Sequence, residues 1–162
     1  LKTLLVYYSL EGNTEYAAQK IADKIGADLL RLVPQKAYSD KGFAKFFWGG
    51  KSAVMAEKPV LQPYEVYLAD VDRIIFGFPV WASNFTPPIR SFIAENAEAI
   101  KEKQFAAFAC QSGNGAEKAF EKLKKALEIE SFEATTVLID PKSKPSEENE
   151  KKIAEFCDRL GK

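Results

Sequence analysis

Apolar positions in this chain come as short unbroken runs separated by stretches with helical spacing. Leu4 to Tyr8 is the first run, and Asp28 to Val33 the second, through Leu29, Leu30, Leu32 and Val33. Asp72 to Phe78 carries Ile74, Ile75 and Phe76; Phe105 to Cys110 and Ala134 to Ile139 follow. Such runs, unlike strict apolar–polar alternation, fit strands covered on both faces. Between them, Thr14 to Ile25 places Ala17, Ala18, Ile21, Ala22 and Ile25 on one helical face. Pro87-Pro88 opens a helix at about Ile89, with Phe92, Ile93, Ala97 and Ile100 on its face. Ala116 to Leu127 turns Ala119, Phe120, Leu123 and Leu127 inward. Ser146 to Leu160 closes the chain with Ile153, Ala154, Phe156, Cys157 and Leu160, its start capped by Ser146 with Asn149 or Glu150 nearby. Five strands alternating with helices predict a doubly wound α/β sheet with right-handed crossovers, one domain over residues 1–162.

Pro34 to Ala69 breaks this rhythm, because it is far longer than an ordinary crossover. Phe43, Phe46 and Phe47 share a helical face there, Trp48 and Gly49-Gly50 follow, and Val54 and Met55 come after. The segment predicts a helix over Phe43–Trp48 packed on the sheet, with a bend near Gly49-Gly50. Lys36, Lys41, Lys45, Lys51 and Lys58 outweigh Asp40 and Glu57, so a local basic patch is expected. The alternative is a lid or docking flap over a ligand.

In an open parallel sheet, ligands bind beyond the carboxyl ends of the strands. Three loops are expected at that edge. The first, Ser9-Leu10-Glu11-Gly12-Asn13-Thr14, runs from a strand into a helix N-terminus. Unpaired first-turn N–H groups and the helix dipole favour an anion there, and Ser9, Asn13 and Thr14 offer side-chain donors. Glu11 is expected to point to solvent. The second, Pro79-Val80-Trp81-Ala82-Ser83-Asn84-Phe85, presents Trp81 and Phe85 for stacking on a planar ring, with backbone groups for its polar edge. The third, Gln111-Ser112-Gly113-Asn114-Gly115, is small enough for close backbone approach. Each loop also has a plainer reading: Ser9 or Asn13 as a helix cap, Gly12 as a turn residue, Trp81 as a core side chain.

Composition narrows the chemistry. The chain has no histidine, which removes imidazole-based triads, metal sites and proton shuttles. Lys plus Arg equals Asp plus Glu at 23 each, which gives no support for nucleic-acid binding. Cys110 and Cys157 lack metal-ligand spacing and are expected to be neither catalytic nor disulfide-bonded. No nucleotide-hydrolase loop is present, and Gly113-x-Gly115-x-x-Lys118 is only half a dinucleotide fingerprint. With no membrane-length apolar run and no visible signal peptide, a cytoplasmic protein without a membrane span is expected. The start at Leu1 without methionine implies a missing residue or two.

The sequence resembles the flavodoxin family over nearly its whole length. The resemblance is carried by Val6 to Thr14, by Gly77-Phe78-Pro79-Val80-Trp81-Ala82 with Pro87-Pro88, and by Ala107 to Gly113. It implies a flavodoxin-like three-layer sandwich, a five-stranded parallel sheet of order 2-1-3-4-5 with helices on both faces. It also implies bound FMN and electron transfer. Ser9, Gly12, Asn13 and Thr14 match the family's phosphate loop, with Glu11 where many relatives carry threonine or serine. Trp81 matches the flavin-flanking segment, and the third loop matches loosely, without a second stacking aromatic. The fifth strand carries no large insertion, as in the short-chain type. Dedicated carriers are usually acidic, whereas this chain is neutral, and its long segment resembles that of NAD(P)H-dependent flavin reductases. The expected partner is therefore a redox protein or NAD(P)H, and the expected assembly a monomer or homodimer. The rivals are a reductase of quinones or similar acceptors and a flavin-free binding domain on the same scaffold.

Overall fold

The computed structural model describes residues 1–38 and 57–161. In chain order these form β1 (Thr3–Tyr7), α1 (Asn13–Ile25), β2 (Asp28–Arg31), a 3-10 turn at Leu68–Asp70, β3 (Arg73–Pro79), α2 (Pro87–Ile100), β4 (Gln104–Gln111), α3 (Ala116–Leu127), β5 (Thr135–Ile139) and α4 (Glu147–Leu160). The strands make one parallel sheet of order β2-β1-β3-β4-β5, the arrangement that the resemblance implies. Among the described residues, no helix is long and apolar enough to cross a membrane.

The two-residue period of the strands sorts the core into two layers. Leu5, Ile75, Ala106, Phe108 and Leu138 pack under α1 and α4, against Ala17, Ile21, Ile153, Phe156 and Leu160. Leu4, Val6, Ile74, Phe76, Phe105 and Ala107 pack under α2 and α3, against Ile89, Phe92, Phe120 and Leu123. Gly77 has no side chain because the Phe108 ring of the neighbouring strand fills the space a Cβ would need.

Two expectations change, and a third lies outside the described residues. The second strand stops at Arg31, and Leu29 is 41% exposed, because β2 lies at the sheet edge and its far side has no strand neighbour among the described residues. Val33 leaves the sheet instead: Gln62 N–H donates to its carbonyl (2.6 Å), Gln35 N–H donates to Val60 (2.8 Å), and Pro34 bridges Leu61 antiparallel. Ala97 is exposed rather than inward-facing. Asn96 departs from helical geometry (φ −125°, ψ 17°), and its side-chain amide donates to the Phe92 carbonyl at 2.9 Å, which turns the helix face. The expected Phe43–Trp48 helix, its Gly49-Gly50 bend, and Lys41, Lys45 and Lys51 lie outside the described residues.

Candidate functional site

The first loop begins where β1 gives way to Gly12, which takes a left-handed conformation (φ 100°, ψ −10°) and caps α1. The Gly12 carbonyl accepts Tyr16 N–H (3.0 Å), and Ser9 Oγ accepts Glu15 N–H (3.1 Å). Arg31, at the end of β2, buttresses the loop by donating to the Ser9 carbonyl (3.2 Å) and to the Glu15 carboxylate (2.6 Å). The Asn13 and Thr14 N–H groups at the start of α1 have no acceptor among the described residues. Of the expected side-chain donors, Ser9 is buried and its hydroxyl donates to no acceptor among the described residues. Thr14 is buried, and its hydroxyl lies where it lowers the Cys110 pKa. Asn13 Oδ1 accepts two backbone N–H groups from the loop after β5, which leaves Nδ2 as the donor. Glu11 is exposed, as expected.

The second loop is a tight turn. Val80 N–H donates to the Cys110 carbonyl (2.9 Å), and Trp81 and Asn84 exchange both backbone hydrogen bonds (3.1 and 3.0 Å). Between them, Ala82 (φ 50°) and Ser83 (φ 60°) are both left-handed, a conformation that two-residue turns normally assign to Asn or Gly. Trp81 meets Tyr8 and Tyr38 edge to face, with centroids 5.7 and 5.2 Å apart. Phe85 corrects an expectation. It is fully buried against Phe78, with the Arg90 guanidinium 4.5 Å from its ring centroid, so it belongs to the core and cannot stack on a ligand. Asn84 Oδ1 accepts Phe85 N–H (2.8 Å), which fixes the turn's exit.

The third loop divides its work. Gln111 Oε1 accepts Ala116 N–H (3.0 Å) and so starts α3. Gly115 (φ 107°) lies against the second loop, since a Cβ there would stand 2.8 Å from Ser83 Oγ. Gly113 is exposed with no other residue's atoms within 4 Å of the Cβ it lacks, so nothing crowds its backbone. Ser112 donates to Asp140 Oδ1 (2.9 Å), which brings in a fourth loop, the one after β5. Asp140 is buried and left-handed (φ 42°), and its carbonyl accepts Lys144 N–H (2.7 Å). Sequence reasoning missed this loop. The signal was available: a parallel sheet delivers the loop after every strand to the same edge.

Ser9, Leu10, Glu11, Asn13, Thr14, Pro79, Val80, Trp81, Gln111 and Ser112 meet around one cleft, with Cys110 and Asp140 as further walls. Gly12, Ala82, Ser83, Asn84 and Gly115 shape these loops without lining that cleft, and Gly113 and Phe85 stand apart from it. One wall is a set of polar donors and the other is apolar. Burial pushes the Cys110 thiol up to about 12, helped by the Asp140 charge and opposed by the Thr14 hydrogen bond, so it stays a neutral thiol. Burial, aided by Glu57, pushes the Tyr38 phenol up to about 12, and burial raises Tyr8 as well. Both cysteines are free and buried.

The profile of the family described as flavodoxin matches residues 2–153. Among solved structures, the chain is similar to a protein of Bacteroides eggerthii provisionally assigned as a flavoprotein, at 23% identity and TM-score 0.75, covering 99% of this chain and 98% of that one. It is similar to a flavoprotein of Lactobacillus acidophilus solved in complex with FMN, at 18% identity and TM-score 0.73, covering 96% and 97%. It is also similar to a two-electron reduced flavodoxin of Megasphaera elsdenii, at 19% identity and TM-score 0.55, covering 98% and 95%. At these identities the structural likenesses speak for the fold.

Proposed function

The chain belongs to the flavodoxin family, and from that premise we propose that it binds FMN at its four strand-end loops and works in electron transfer. The observation that carries this reading is the unspent donor set of the first loop facing an apolar wall. The Asn13 and Thr14 N–H groups, the Ser9 hydroxyl and Asn13 Nδ2 suit a phosphate ester. Pro79, Val80 and the edge of Trp81 suit an apolar planar ring. Gly12 serves the same site by its left-handed turn, which starts α1 at Asn13. The L. acidophilus protein, alike in fold, was solved with FMN.

A bound flavin supplies one- and two-electron redox chemistry, and the protein supplies binding, orientation and exclusion of water. Here the helix N-terminus and Ser9 hold the anionic end. Behind the apolar wall, Tyr8 and Tyr38 pack edge to face against Trp81. The test is an absorption spectrum of the purified protein before and after adding FMN, followed by titration with FMN and riboflavin. FMN is expected to bind much more tightly than riboflavin and to lose fluorescence on binding. A colourless protein that ignores added FMN would sink the reading.

The even charge balance of 23 against 23 favours a second reading for the electron source. A neutral protein lacks the strong field that steers a basic partner protein, and NAD(P)H as direct donor fits that surface. Steady turnover with NAD(P)H and a quinone in the absence of any partner protein would establish it.

A further inference from the structure

The loop after β5 is held against the first loop more firmly than a connection to α4 requires. Asn13 Oδ1 accepts Lys142 N–H (2.9 Å) and Ser143 N–H (3.1 Å), joining residues about 130 positions apart in sequence. From the other side, Asp140 N–H donates to the Gln111 carbonyl (3.2 Å) and the Asp140 carboxylate accepts Ser112. Pro141 and Pro145 bracket the turn and fix its backbone angles. The result is a defined place for one side chain. The Lys142 stem lies along Gly12, where a Cβ would stand 3.2 Å from Cδ, 3.6 Å from Cε and 2.9 Å from Nζ. Gly12 is glycine for its left-handed backbone, and the flexible Lys142 stem lies over it.

That ammonium forms no ion pair within the described residues. The nearest acidic residues of the first loop do not answer it: Glu15 is spent on Arg31, and Glu11 is exposed to water. A positive charge is thus placed beside the N-terminus of α1; the Asp140 carboxylate, two residues away in the same loop, accepts Ser112 and makes no ion pair with it within the described residues. A helix terminus contributes roughly half an elementary charge, whereas a phosphate monoester carries about −1.5 to −2 near neutral pH. The Asn13 and Thr14 amides alone leave most of that charge unmatched.

We propose that Lys142 is a phosphate-binding residue of this site: its ammonium, carried to Gly12 by the Asn13-tethered loop, supplies the countercharge for the flavin phosphate. The proposal rests on the FMN reading above. It assigns the loop after β5 a role in selecting a phosphorylated flavin over an unphosphorylated one. Because Lys142 is exposed, its contribution is long-range and screened by salt.

The experiment titrates wild type, Lys142→Gln and Lys142→Arg with FMN and with riboflavin, at low and at high ionic strength. Thermal melts of the three apoproteins with and without inorganic phosphate give a readout independent of the flavin. Lys142→Gln is expected to weaken FMN binding about tenfold at low salt, a loss that shrinks at high salt. Riboflavin affinity and apoprotein melting stay unchanged, Lys142→Arg keeps most of the FMN affinity, and phosphate raises the wild-type melting temperature more than that of Lys142→Gln. If Lys142→Gln binds FMN like a wild type that still prefers FMN over riboflavin, the proposal is overturned while the phosphate loop stands. If wild type itself binds FMN and riboflavin alike, the reading of the site fails and the proposal fails with it.

Discussion

Single residues at the second loop hold strain. Ala82 and Ser83 both adopt left-handed angles without being glycine, each costing on the order of 1–2 kcal/mol. Ala82→Gly removes the Cβ conflict but loosens the unfolded chain, so a net gain of about 0.5–1 kcal/mol is expected in urea unfolding. No gain in urea would mean that the surrounding hydrogen bonds, not the backbone angles, set the turn's energy. Trp81, beside it, is nearly inaccessible and edge-on to two tyrosines. Trp81→Ala should therefore cost about 3–5 kcal/mol of stability as well as disturbing flavin fluorescence, while Trp81→Phe keeps most of the fold. Unchanged stability in Trp81→Ala would show that the cluster does not pack as described. Cys110 lies in the cleft wall yet is held as a neutral thiol, and thiol reagents are expected to label it at mildly alkaline pH only after unfolding.

Elements are tied together by a few polar side chains. Asn149, in the first turn of α4, acts as a one-residue continuation of the sheet: its Oδ1 accepts Ile139 N–H (2.9 Å) and its Nδ2 donates to the Ile139 carbonyl (2.8 Å). This satisfies the free edge of β5 immediately before the Asp140 turn. Arg73, fully buried in β3, donates to the Thr3 hydroxyl (3.1 Å) and to the Leu160 carbonyl (3.0 Å), fastening the end of α4 to the sheet. Removing either leaves buried backbone or hydroxyl groups without partners, so Asn149→Ala and Arg73→Ala are each expected to cost about 2–4 kcal/mol by urea unfolding. Only Asn149→Ala should also weaken FMN binding, because it alone borders the loop that carries Lys142. Equal FMN affinities in both variants would separate that loop from the site.

For the whole molecule, the buried Cys110 thiol and the half-buried phenols set an alkaline limit, with the thiol contributing most because solvent screens the phenols. The folded values of Cys110, Tyr38 and Tyr64 are pushed up to about 12, above their ordinary values of 9.0 and 10.0. A group that binds its proton more tightly when folded contributes its full stability below its unfolded pKa and loses it as pH rises toward the folded one. Stability should therefore be level below about pH 9 and fall between about pH 9 and 12, at roughly 1.4 kcal/mol per pH unit for each such group deprotonated in the unfolded chain. Melting temperatures across that range test it, and a flat profile would show these groups to be solvated. Saturating FMN should raise the melting temperature at any given pH, since it binds only the folded state: at about 100 times Kd the gain is roughly 2.7 kcal/mol. Riboflavin at the same concentration should raise it less.

The local pattern of the chain determined its elements and the place of its first loop. Unbroken apolar runs, helical spacing and the capping residues at Ser146 and Pro87-Pro88 are short-range signals, and they survive in the structure as α4 capped by Ser146 and α2 opening at Pro87. The sheet order came from the resemblance, not from the pattern. Tertiary structure alone decided the rest. Phe85 and Trp81 sit in one loop and look alike in sequence, but Phe85 is drawn into the core beside Phe78 while Trp81 lines the cleft, packed edge to face against Tyr8 and Tyr38. Leu29 is apolar yet exposed because β2 is an edge. Asn13 reads as a cap or a donor, and only its pairing with a loop about 130 residues away shows that its oxygen anchors Lys142. A residue's type fixes which bonds it can make, whereas the partners that arrive from distant strands fix which of them it does make.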